Sequence, residues 1–120
     1  MTTTTKFNPY LMGNFAPVNK EITAENLEIK GELPRDLSGM YLRNGPNPQF
    51  APLGRYDWMD GDGMLHGVRI SGGKAEYRNR YVGTGGFEVE KDLGYAVWSG
   101  RLEPPQINNP YGPYKNVANN

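Results

Sequence analysis

Gly39-Met40-Tyr41-Leu42-Arg43-Asn44-Gly45-Pro46-Asn47-Pro48 and Tyr56-Asp57-Trp58-Met59-Asp60-Gly61-Asp62-Gly63-Met64-Leu65-His66-Gly67 are the two runs whose reading decides the fold. Each joins a short apolar strand signal to a hard turn. Met40-Tyr41-Leu42 extends, and Asn44-Gly45-Pro46-Asn47-Pro48 is expected to stop it, because glycine accepts positive φ and each proline fixes φ and removes a donor. In the second run Asp60-Gly61-Asp62-Gly63 is the turn and Met64 to Ile70 the strand that leaves it.

Outward from these runs the pattern stays β. Leu65 to Ile70 and Ala75 to Val82 flank Ser71-Gly72-Gly73-Lys74, a hairpin signal. Ala75, Tyr77, Asn79 and Tyr81 share one face of the second arm, and Glu76, Arg78, Arg80 and Val82 share the other. Gly83-Thr84-Gly85-Gly86 loops out, Phe87-Glu88-Val89 is expected to pair briefly, and Tyr95-Ala96-Val97-Trp98 reads as another short strand. Towards the N-terminus, Leu33 to Gly39 is a turn or a short 3₁₀ piece. Leu27-Glu28-Ile29 alternates like a strand, and at most one helical turn starts near Thr23. Met1 to Lys6 is a polar tail. Phe7 to Pro17, apolar and aromatic but broken by Pro9 and Pro17, is an arm expected to lie across a larger surface. Residues 1–17 are thus assigned to an N-terminal arm and 18–120 to the β domain. From Pro104 to Pro113 the sequence predicts a long irregular loop.

Composition narrows the function classes. Thirteen basic and thirteen acidic residues cancel, so no electrostatic argument favours nucleic acid or an anionic membrane. No run approaches the about 20 apolar residues of a membrane span. Cysteine is absent, which removes disulfides and thiolate metal sites and makes a cytoplasmic location the default. Glycine (16) and proline (10) are abundant for a chain of 120 residues, as in short strands punctuated by turns.

His66 is the single histidine. A metal site needs several convergent ligands, and its neighbours in sequence offer only Asp60 and Asp62 inside a turn. His66 shares a strand face with Met64 and Val68, so it reads as a packed, hydrogen-bonded core histidine. Asp60-Gly61-Asp62-Gly63 resembles the opening of a calcium loop but lacks the later ligands; its aspartates are expected to accept backbone hydrogen bonds within the turn. Gly83 to Gly86 is no phosphate loop, having neither a following Lys-Ser/Thr nor a helix to open. Arg43, Arg55, Arg69, Arg78 and Arg80 alternate with aromatics, and with zero net charge this reads as a solvated sheet face rather than a single-strand binding surface. Tyr41, Trp58, Met64, Leu65, Val68, Tyr77, Tyr81 and Trp98 are the expected packed cluster, some of them left exposed if the chain is part of a larger fold.

Several stretches together resemble the N-terminal signature of the carotenoid cleavage oxygenases, in particular the bacterial carotenoid and lignostilbene dioxygenase-like members. They are Asn8 to Val18, Gly31 to Gly39, Tyr41 to Pro48, Trp58 to Gly67, Tyr77 to Val82 and Lys115 to Asn119. Met59 stands where phenylalanine is commoner. The resemblance implies an all-β fold: about one blade, plus the N-terminal arm, of a seven-bladed β-propeller. It implies a non-haem Fe(II) centre held by four histidines, at which dioxygen cleaves the C=C bond of a carotenoid, apocarotenoid or stilbene. Those four ligands lie beyond the position matching Asn120, so no catalytic, cofactor-binding or metal-binding residue is carried over, and this chain by itself is expected to bind no iron. The partners implied are an apolar conjugated alkene and O2, with the remaining blades pairing against this one. The competing reading is a non-catalytic β-sheet interaction module, or a truncated and inactive gene product.

Overall fold

The computed structural model describes residues 8–57, 60–100 and 102–115. Four strands form one antiparallel sheet: β1 (Thr23–Ala24), β2 (Gly39–Pro46), β3 (Gly63–Ser71) and β4 (Lys74–Tyr81), in the spatial order β1-β4-β3-β2. Two short 3₁₀ turns, Pro9–Leu11 and Gly13–Phe15, precede the sheet, and one helix, α1 (Gly85–Leu93), follows it.

The hairpin turns where the sequence places it. Ser71 pairs with Lys74, and Gly72 and Gly73 between them have φ of 58° and 79°. Positive φ at both central residues matches the right-handed twist of the flanking strands, and glycine adopts it without a Cβ penalty. The β2–β3 pairing joins Gly39 to Ile70 and Pro46 to Gly63, so β2 runs through Asn44-Gly45 instead of stopping there. Pro46 is tolerated because β2 is an edge strand, where a missing donor breaks no ladder. Between Pro34 and Leu37 the chain makes the expected turn, Leu37 N–H donating to the Pro34 carbonyl at 3.2 Å.

Further local expectations differ from the structure. The strand signal at Leu27 to Ile29 is unpaired in the sheet; Leu27 instead donates one backbone bond to the Ala75 carbonyl (2.9 Å). Thr23 opens no helical turn, because Thr23–Ala24 extends against Arg78 and Tyr77 of β4 as β1. Phe87 to Val89 lies inside α1 rather than in a strand, which also makes the Gly83 to Gly86 run the entrance to a helix. Thr84 caps α1, its hydroxyl accepting from Phe87 N–H at 3.2 Å, and Gly94 ends it at φ 84°.

Tyr95 to Trp98 forms no strand. Its polar groups are taken by side chains: Glu90 accepts from Val97 N–H, and Gln106 Nε2 and Asn109 Nδ2 donate to the Val97 carbonyl. A loop built by prolines 104, 105, 110 and 113 thereby replaces a ladder. The buried apolar side chains among the described residues are Tyr56, Met64, Ala75, Phe87 and Trp98. Of the expected cluster, Met64 and Trp98 are buried and Val68, Tyr77 and Tyr81 half-buried. Tyr41 (66% exposed) and Leu65 (42%) are not, since Tyr41 stands on the edge strand and Leu65 shares its row with Asn44 and Arg80 on the other face. Trp58 and the Met1 to Lys6 tail lie outside the described residues.

Candidate functional site

The register of the sheet sets Arg43, His66 and Asn79 side by side on one face, with Tyr41, Val68 and Tyr77 in the next row. His66 Nδ1 lies 2.7 Å from the Tyr77 hydroxyl. Burial, and then the nearby Arg43 guanidinium, pull the imidazole below its ordinary pKa, so both causes favour the neutral ring. Asn79 is 1% exposed; its Oδ1 accepts from Ile22 N–H at 2.6 Å. His66 is therefore hydrogen-bonded and half-buried, in keeping with the core reading, though polar neighbours surround it.

Asp60 and Asp62, two positions apart in the turn, have different surroundings. Asp60 bonds within the turn, its Oδ2 accepting from Asp57 N–H at 3.0 Å and its own N–H donating to the Asp57 carbonyl, and its carboxylate also lies against Gly100. Asp62 reaches out of the turn, contrary to expectation. Its Oδ2 accepts from Gln49 N–H at 3.0 Å and its Oδ1 pairs with Lys115. Gly61 explains the difference: a Cβ there would lie 2.5 Å from Asn47 N, so the turn packs directly on the backbone after β2 and points Asp62 inward.

Lys115 Nζ also meets Glu90 Oε1, so one ammonium bridges two buried carboxylates. The sequence marks Lys115 only as the first residue of the family-like stretch Lys115 to Asn119, and Glu90 not at all. Their pairing is not legible locally, since it comes only from α1 and the terminal loop converging on the Asp62 turn. Close by, burial and then Asp60, Asp62 and Asp57 push the Tyr56 phenol up to about 12. Burial raises Tyr81 as well; its hydroxyl takes a 2.6 Å bond from Asn47 Nδ2, which acts the other way.

A four-histidine iron site does not fit these residues. The sequence holds one histidine, and its Nδ1 already faces Tyr77. Among the described residues no three His, Cys, Asp or Glu side chains are grouped to hold a metal ion. The buried carboxylates of Asp62 and Glu90 are bridged by an ammonium. Among the described residues no helix is long and apolar enough to cross a membrane.

Comparison with known proteins places this sheet. The family model described as retinal pigment epithelial membrane protein matches residues 15–120. Carotenoid 9,10(9',10')-cleavage dioxygenase 1 of Phaseolus vulgaris is 49% identical over 85 residues, covering 71% of this chain and 16% of that protein. The carotenoid cleavage oxygenase of Mycobacterium tuberculosis is 52% identical over 80 residues, 64% of this chain and 16% of that protein. Among solved structures, the Pseudomonas brassicacearum lignostilbene dioxygenase is similar with a TM-score of 0.73 at 31% identity, over 77% of this chain and 20% of that one. The chain thus spans about a sixth of the length of the curated relatives it matches.

Proposed function

Because the chain belongs to the carotenoid cleavage oxygenase family, the one described by the retinal pigment epithelial membrane protein model, we propose that it is the N-terminal part of a non-haem iron(II) dioxygenase. The whole protein would use O2 to split a C=C bond of a carotenoid, apocarotenoid or stilbene-type substrate into two carbonyl products. The observation that carries this reading is the 49% identity over 85 residues to a carotenoid cleavage dioxygenase, together with the family match over residues 15–120, which spans both turn motifs of the sheet. Residues 1–17 are an arm, and 18–120 are about one blade of a seven-bladed β-propeller whose other blades pair against it. Iron, when bound in the whole protein, supplies the activation of dioxygen. No catalytic, cofactor or metal role is assigned to a residue of this chain; its residues contribute scaffold. The cytoplasm is the compartment we assign, on the cysteine-free sequence.

The test is to read the gene beyond the codon for Asn120 and express the continuous frame with Fe(II). Aldehydes or ketones from a panel of apocarotenoids and stilbenes are expected from that product, and none from the 120-residue chain alone. A continuing frame without further histidines, or a metal-loaded product that cleaves none of the panel, overturns the reading. So does cleavage by the 120-residue chain that is lost on His66→Ala, which would make His66 a ligand.

A further inference from the structure

Helix α1 rests on the rest of the molecule through a small set of side chains. The Phe87 ring packs tilted, 4.8 Å between centroids, on Tyr81 of β4, Gln49 Nε2 donates to the Phe87 carbonyl at 2.9 Å, and Glu90 makes further bonds. Glu90 is 2% exposed and its two oxygens face different segments: Oε2 accepts from Val97 N–H, and Oε1 meets Lys115. Lys115 in turn reaches Asp62 on the turn that opens β3. An isolated helix of nine residues is marginal in water, so docking is what maintains it. Removing the ammonium would leave two carboxylates buried beside each other without a cation, the costly way to break a buried ion pair.

We propose that Lys115 is a latch: by bridging Glu90 of α1 and Asp62 of the sheet turn, it makes the seating of the terminal loop and the docking of α1 one event. The loop is pre-shaped for this. Trp98 Nε1 donates to the Gly112 carbonyl at 3.0 Å and Gln106 N–H to the Pro113 carbonyl at 3.2 Å, which brings residue 115 back over the helix. The β3–β4 hairpin does not depend on the latch, because its ladder and its glycine turn are local. This device stands independently of the dioxygenase reading.

Amide hydrogen exchange on the 120-residue chain and three variants tests it. In Lys115→Met the amides of Gly94 and Val97, which bond to Glu90, should exchange about tenfold faster or more, while Leu65 and Arg80 in the hairpin stay within about threefold. Lys115→Arg keeps a cation and should restore most of the protection. Glu90→Gln should speed the same two amides through loss of charge pairing. Unchanged Gly94 and Val97 exchange in Lys115→Met overturns the latch. Equal acceleration of Leu65 and Arg80 overturns it too, as would a parent chain in which α1 is already unprotected. If Lys115→Arg behaves like Lys115→Met, charge is not what holds the helix.

Discussion

Met64 is the most completely buried apolar side chain described, at 0% exposure, set between Gly45 of β2 and Tyr81 of β4. Its neighbours are held by the ladder and have little freedom to collapse into a void. Met64→Ala is expected to cost about 2–5 kcal/mol, read as a lower urea midpoint with an unchanged m-value. His66 carries a pH dependence whose sign follows from its surroundings. Burial and then Arg43 lower the folded pKa below the ordinary 6.5. The contribution is therefore fully present above the unfolded value and is lost as pH falls through the folded one. Urea midpoints of the parent chain should fall over that acid window, and His66→Gln should flatten the profile. A steeper profile in His66→Gln would place the titration elsewhere.

At the level of elements, the hairpin turn and the α1 caps are separable. Gly72 at φ 58° lies where asparagine is tolerated and a β-branched residue is not. Gly72→Val should cost about 1–2 kcal/mol relative to Gly72→Asn, compared by denaturant unfolding. The Thr84 hydroxyl satisfies one of the four free N–H groups at the start of α1. Thr84→Ala is expected to lower helix stability by about 1 kcal/mol, seen as faster exchange in α1 with the hairpin unaffected. The α1 signals were in the sequence: Thr84 as cap, Glu88 in the first turn, Lys91 in the last and Gly94 at the end. The glycine pair 85–86 masked them by reading as loop.

Over the whole molecule, the radius of gyration is 17.6 Å, with extents of 56 × 29 × 22 Å. A compact chain of this length would have roughly 14 Å. The apolar surface is correspondingly open. Tyr41 and Leu42 on edge strand β2 are 66% and 59% exposed, and Ile107 on the terminal loop is 82% exposed. A long edge with apolar side chains on both faces is a template for pairing with another strand. The isolated chain is expected to self-associate with rising concentration in light scattering, and Leu42→Lys to reduce it. A concentration-independent monomer would show that the β2 edge is inert.

The sequence by itself determined the Ser71–Lys74 hairpin turn with its register, the turn at Pro34–Leu37, and the family. A positive φ at Gly72 and Gly73 and a period-two alternation each act over a few neighbouring residues, so they can be read without knowing what lies opposite. Only the tertiary structure decided that Thr23–Ala24, rather than Leu27 to Ile29, closes the outer edge, because two residues become a strand by finding Arg78 and Tyr77 more than fifty positions away. It likewise turned Asp62 away from its own loop to Gln49 and Lys115, and set Glu90 against the same ammonium. A buried charge is placed by the partner that neutralises it, and that partner is a property of how distant segments converge.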